Sequence, residues 1–185
     1  MISRENYLQQ LIQFKDSDFI KVITGVRRSG KSVLLMQYRD YLLSQQISTE
    51  NIIYINFESF EYQWVKNADD FSQLISEKLK GSENKVYLLF DEIQFVDGWQ
   101  KIINAVRVSF NSDIVITGSN ANLLSGELAT LLSGRYVAIV NTPNLKQDQS
   151  RIIKPPVYTQ QVPYHSMNHA VVRGYKPRSI HRLIV

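Results

Sequence analysis

The 185-residue chain contains no cysteine, which excludes disulfides and thiolate-bound metals. A reducing, cytoplasmic setting fits that composition. Residues 1–140 also lack proline and histidine; all five prolines and all three histidines lie beyond them. No run approaches the roughly 18 consecutive apolar residues of a membrane helix, so no membrane partner is expected. The start, Met1-Ile2-Ser3-Arg4-Glu5-Asn6, is polar and lacks the apolar stretch of a signal peptide. Acids almost vanish after residue 140. Residues 141–185 carry Asp148 alone against seven Lys and Arg, a net of +6, whereas residues 1–140 carry 14 basic and 16 acidic side chains, a net of −2. A basic balance argues for nucleic acid when it belongs to the folded domain, and here it belongs to the tail. The break separates a candidate domain, 1–140, from a proline-rich basic tail, 141–185, expected to be irregular. With 44% hydrophobic residues, the chain suits one globular domain with a core of its own.

Within residues 1–140 the hydrophobic period switches repeatedly between that of a strand and that of a helix. Phe19–Thr24, Asn51–Phe57, Lys85–Phe90, Asp113–Thr117 and Tyr136–Val140 are short runs rich in β-branched and aromatic residues, and they predict strands. Helical spacing is predicted over Arg4–Phe14, Ser32–Leu43 and Asp69–Lys80. It is also predicted for the face Trp99, Ile102, Ile103, Val106 and Phe110, and for Ser125–Ser133. Acids open the segment Asp69–Lys80, lysines close it, and Gly81 stops it. Strands alternating with helices predict an α/β three-layer sandwich with a mainly parallel sheet of about five strands. In such sheets ligands bind beyond the carboxyl ends of the strands.

The polar motifs fall at those ends. Gly25-Val26-Arg27-Arg28-Ser29-Gly30-Lys31-Ser32 matches the G-x-x-x-x-G-K-[ST] phosphate loop and sits between a strand and a helix. Glycines let successive backbone N–H groups converge on phosphate oxygens, and the helix N-terminus adds a positive dipole end. Lys31 is expected to reach the β- and γ-phosphates of ATP or another nucleoside triphosphate, and Ser32 to ligate Mg²⁺. Arg27 and Arg28 can hold nucleotide, face a partner, or simply be solvated. Val86–Phe90 is an apolar strand ending in Asp91 and Glu92. There Asp91 can hold the Mg²⁺ hydration shell, and Glu92 can orient and deprotonate an attacking water. Ser119 and Asn120 follow another strand, as a water-positioning pair or as a polar turn capping a helix. Arg135 can reach a neighbouring subunit's γ-phosphate or serve as an ordinary surface arginine. Asn56 and Glu58 end the second strand, where one of them can pair with Glu92 or play a purely structural part. His165 and His169 have i, i+4 spacing but no further ligand nearby, and read as tail.

The segments ITGVRRSGKSVLLMQ, YINFE, LLFDEIQFVDGWQ and VITGSNANLLSGELATLLSGRY, in that order, resemble a prokaryotic family of AAA-superfamily ATPases, over about residues 1–140. The resemblance implies an ASCE-type P-loop NTPase sheet, with the Asp91–Glu92 strand not adjacent in sequence to the loop strand. It implies Walker A at Gly25–Ser32, Walker B at Asp91–Glu92, a sensor at Ser119–Asn120 and a candidate arginine finger at Arg135, supplied in trans within a homo-oligomer. Preference for ATP rests on this resemblance; NTPNLKQD at 141–148 is only superficially like a guanine-recognition motif. Such ATPases usually continue, after the Gly-Arg-Tyr segment, into a helical region and a large C-terminal domain sometimes compared with nuclease folds. Nothing beyond Val140 matches, so a truncated or frame-shifted member is expected.

The function this predicts is Mg²⁺-dependent ATP hydrolysis, with Glu92 as base, Asn120 as sensor and Arg135 in trans. The alternative is a nucleotide-dependent switch that binds ATP without significant turnover. A third reading lets the +6 tail contact nucleic acid, with steep salt dependence, although no reading module such as a helix-turn-helix is present.

Overall fold

The computed structural model describes residues 5–82, 84–119, 132 and 134–141. The elements run α1 (Glu5–Gln13), β1 (Ile20–Gly25), α2 (Lys31–Ser44), β2 (Ile52–Asn56), α3 (Ala68–Lys78), β3 (Val86–Asp91), α4 (Trp99–Ser109), β4 (Ser112–Ser119) and β5 (Tyr136–Val140), with 3₁₀ turns at Thr49–Asn51, Phe60–Tyr62 and Ile93–Phe95. The helix expected over Ser125–Ser133 and nearly all of the tail lie outside the described residues.

The sheet has the order β2-β3-β4-β1-β5. Every pairing is parallel, where only a mainly parallel sheet was expected. All residues of β1 and β3 are buried, as are the six central residues of β4, because helices cover both faces of these inner strands. The outer strands β2 and β5 are only partly buried. On one face Val22, Leu88, Phe90, Ile114 and Ile116 pack against Phe71, Leu74 and Ile75 of α3 and Ile103 and Val106 of α4. On the other, Ile23, Leu89, Val115 and Ile139 pack against Leu11 of α1 and Leu34, Leu35, Tyr38 and Leu42 of α2. The result is a three-layer α/β sandwich.

Near their amino ends, two charged residues break the apolar pattern of the inner strands. Lys21 and Asp113 lie near the amino ends of β1 and β4, fully buried, and form an ion pair of 2.8 Å. Desolvation lowers the Lys21 pKa, and the Asp113 charge opposes that shift. The Asp16 backbone N–H donates to Asp113 at 2.6 Å, and Lys21 donates to the Phe14 carbonyl at 3.2 Å. This buried network ties the segment between α1 and β1 to the base of the sheet. Phe110, expected on the helical face of α4, instead caps that helix in extended conformation and is partly exposed.

Parallel pairing sets all carboxyl ends at one rim. Gly25 is opposite Ser119, and Asn56 is opposite Asp91. The strand that ends in Asp91 is separated from β1 by β4 alone. The chain leaves β1, crosses to the far edge at β2, and returns strand by strand to β4, while β5 adds on the other side of β1. Such a reversal of strand order opens a crevice above the sheet.

Candidate nucleotide-binding site

The loop between β1 and α2 is shaped by two residues in left-handed conformation, Arg28 (φ 63°) and Gly30 (φ 87°). Ser29 N–H donates to the Val26 carbonyl at 3.1 Å, closing a turn. Helical hydrogen bonding starts with Leu34 N–H to the Gly30 carbonyl at 3.1 Å, and no side chain among the described residues caps α2. The first N–H groups of a helix have no intrahelical acceptor, so the uncapped turn at Lys31–Val33 offers donors to an anion. The hydroxyls of Thr24 and Ser29 are buried and have no hydrogen-bond partner among the described residues. Charge, open donors and loop shape all fit a phosphate group.

The loop is held from behind by Asn141. Its side-chain amide donates to the Ser29 carbonyl at 3.2 Å, and its backbone N–H donates to the Thr24 carbonyl at 2.7 Å. A side chain at Gly25 would place its Cβ 2.2 Å from the Asn141 carbonyl oxygen and 2.8 Å from Ser29 Oγ. The loop therefore needs glycine here for space. Asn141 itself is buried, so the packed domain runs at least one residue past the compositional break.

Across the crevice, the two carboxylates have different surroundings. Asp91 is fully buried. Its Oδ1 accepts from the Thr117 hydroxyl at 2.5 Å and its Oδ2 from the Tyr54 hydroxyl at 3.2 Å. Burial, with the Asp91 charge beside it, pushes the Tyr54 phenol up to about 12. Glu92 adopts a left-handed conformation (φ 54°), and its N–H donates to Thr117 Oγ1 at 3.0 Å. Thr117 thus ties the Asp91 carboxylate to the Glu92 backbone. Glu92 Oε1 lies 3.5 Å from Lys31 Nζ, and Oε2 accepts from the Gln94 side-chain amide. Loop and acid share a cleft of about 760 Å³, whose walls include Arg27, Arg28, Lys31, Ser32, Glu92 and Ser119.

The structure brings Lys31, Ser32, Ser119 and Glu92 together around one cleft. Asp91 stands behind the wall. Asn120 lies outside the described residues, as do His165 and His169. Arg135 is exposed at the amino end of β5 and donates to Asn104 of α4 at 3.2 Å. One length of β5, roughly 17 Å at ~3.3 Å per residue, separates it from the rim, so it does not join the cleft of its own molecule. Asn56 does not pair with Glu92; its side chain accepts from Glu58 N–H at 2.9 Å. Among the described residues, Glu92 pairs through its side chain with Lys31 and Gln94. Sequence reasoning missed Gln94, Thr117, Tyr54 and Asn141. Only Thr117, a polar residue inside an apolar strand, carried a signal.

A parallel α/β sandwich with an uncapped, glycine-bounded loop after β1 and an acid pair after β3 defines a P-loop NTPase domain of the AAA ATPase type. The sequence profile described as "AAA domain" matches residues 17–147, and the chain belongs to that family. An uncharacterised protein of Haemophilus influenzae is 81% identical over 139 residues, covering 75% of this chain and 35% of that protein. One from Methanocaldococcus jannaschii is 42% identical over 120 residues, covering 63% and 24%. The chain thus spans about a third or less of the length of these relatives. Among solved structures, a Walker-type ATPase of Pyrococcus abyssi matches with a TM-score of 0.54 at 20% identity, covering 79% of this chain and 55% of that one. A DNA polymerase III gamma subunit-related protein of Thermotoga maritima gives 0.53 at 14%, covering 76% and 46%. These two likenesses concern the fold. No helix among the described residues is long and apolar enough to cross a membrane.

Proposed function

We propose that this domain binds ATP with Mg²⁺ and hydrolyses it in the cytoplasm. The observation that carries the reading is the convergence of Lys31 and Glu92, 3.5 Å apart, in one cleft bounded by an anion-binding loop. In this reading the N–H groups of the loop Gly25-Val26-Arg27-Arg28-Ser29-Gly30, with those opening α2, cradle the phosphates, and Lys31 neutralises charge on them. Ser32 would ligate Mg²⁺ directly, and Asp91, held behind the wall of the cleft by Thr117 and Tyr54, would support the water shell of the ion only from that second layer. When bound, Mg²⁺ offsets negative charge on the transferred phosphoryl group. Glu92 takes the proton of the attacking water as that water bonds to γ-phosphorus in line with the departing ADP oxygen. Asn120 would orient the same water, and Arg135 would act on a neighbouring molecule's site.

The test is phosphate release from Mg²⁺-ATP over a range of protein concentrations. Lys31→Ala should weaken ATP binding and abolish release. Glu92→Gln should retain binding and lower release by about 10²–10⁴-fold. Release that survives in Glu92→Gln would sink the assignment of the base.

A second reading, a nucleotide-dependent switch with slow turnover, is favoured by one observation. Both carboxylate oxygens of Glu92 already have protein partners. Tight ATP binding that changes assembly without phosphate release would decide for the switch.

A further inference from the structure

We infer that Gln94 is the positioning residue for Glu92 and shares with it the orientation of the attacking water. The inference rests on the hydrolytic reading above and deepens it.

Glu92 is the single residue between the end of β3 and the 3₁₀ turn Ile93–Phe95. Its left-handed backbone takes the side chain out of the alternation of the strand, so packing within the sheet does not aim it. Two side chains aim it instead: Lys31 on Oε1 and Gln94 on Oε2. A polyphosphate on the loop carries several negative charges and competes for the Lys31 ammonium. The Gln94 amide carries no charge, so a phosphate attracts it far less than it attracts the ammonium. When Lys31 is drawn to phosphate, Gln94 is the side-chain partner that stays on Glu92.

The turn that carries Gln94 is itself fixed. Ile93 is fully buried, Phe95 N–H donates to the Glu92 carbonyl at 3.2 Å, and Val96 N–H donates to the Ile93 carbonyl at 3.1 Å. Gln94 also lines the cleft, and its Oε1 is buried with no hydrogen-bond donor among the described residues. A buried acceptor of this kind calls for a partner; the oxygen is closed to solvent as it stands, and a small turn of the amide towards the cleft gives it a water as donor. The neighbouring oxygens of Gln94 and Glu92 then offer two acceptors for the two O–H bonds of one water. A glutamine orients the attacking water in the same chemical sense in small GTPases.

The experiment is a double-mutant cycle on ATP affinity, which needs no turnover. Gln94→Met keeps the length of the side chain and removes both hydrogen bonds. Gln94→Glu keeps its shape and sets a second carboxylate against Glu92. Each is made alone and with Glu92→Gln, and thermal melting verifies that each variant folds. Without its second partner, Glu92 competes harder for Lys31. Gln94→Met should therefore weaken ATP binding about threefold, within the range of direct pairwise couplings, and Gln94→Glu should weaken it more. The effect of Gln94→Met should vanish in the Glu92→Gln background, where no charge competes for Lys31, whereas the carboxylate that Gln94→Glu brings remains there. Equal effects of Gln94→Met in the two backgrounds, or none in either, overturn the inference. If the wild type releases phosphate, Gln94→Met should lower kcat about tenfold, with KM moving no further than the affinity; unchanged kcat also overturns it. A wild type that binds ATP but releases none refutes the hydrolytic reading, while the affinity cycle still decides the pairing of Gln94 with Glu92.

Discussion

A methyl group at Gly25 would press into the Asn141 backbone, an atom that cannot rotate away. Gly25→Ala should therefore cost about 1–3 kcal/mol, the range for overpacking, and weaken ATP binding as the loop shifts. Chemical denaturation and ATP titration would measure the two losses; a fully stable variant with native affinity would show that the loop yields freely. A different prediction concerns acid. Burial alone would raise the Asp16 carboxyl, but hydrogen bonds from Lys15, Lys85 and Tyr87 outweigh it and hold the group well below the usual carboxylate range. Lys85 lies 2.8 Å from one oxygen, and the Tyr87 hydroxyl donates to the same oxygen at 2.8 Å. Because the folded value is depressed, the stabilisation is complete above the unfolded pKa of about 3.9 and is lost as the pH falls from there towards the folded value. Melting temperature should drop below about pH 4. Asp16→Asn should melt lower at neutral pH and lose less across that acid window.

At the level of elements, local chemistry was readable where neighbours in sequence settle the structure. The stretch that becomes α3 shows this. The Asn67 side chain accepts from the N–H groups of Asp69 (2.9 Å) and Asp70 (3.0 Å), Asp69 and Asp70 lie in the first turn, and Lys78 lies in the last. Asn67→Ala should cost about 1 kcal/mol, read by urea denaturation, with ATP affinity unchanged. The five strands and the phosphate loop were equally legible, because an all-apolar run or a glycine-bounded loop declares itself within a few residues. The order of the strands was not, since it depends on pairings between segments far apart in the chain. The same reason hid half of the site. Asn141 meets Ser29 across 112 residues, Tyr54 meets Asp91 across 37, and Thr117 meets Asp91 across 26. Gln94 is close to Glu92 in sequence, yet only the left-handed turn at Glu92 brings their side chains together. Asn56 and Glu58 stood open either as a partner of Glu92 or as purely structural, and the Asn56 side chain is engaged by the backbone of Glu58.

At the scale of the whole molecule, the position of Arg135 makes a clear demand. It sits at the opposite end of β5 from the cleft, so a role in phosphate chemistry requires a second copy. Arg135→Ala and Glu92→Gln should each be nearly inactive alone. Mixed in equal amounts they should recover part of the wild-type phosphate release, because some interfaces then pair an intact Arg135 with an intact Glu92. Absence of recovery, with assembly verified by sedimentation, would leave Arg135 as a surface residue bonded to Asn104.

The seat of β1 between β4 and β5 also governs when the site can come into being. The phosphate-loop residues leave the ribosome well before β4, and β1 gains its first sheet neighbour only with residues 112–119 and its second with 136–140. Closing such distant pairings is the slow part of folding. During synthesis the loop sequence is thus present long before the loop exists. A nascent chain halted ahead of β4 should carry the whole phosphate-loop motif and still fail to retain ATP.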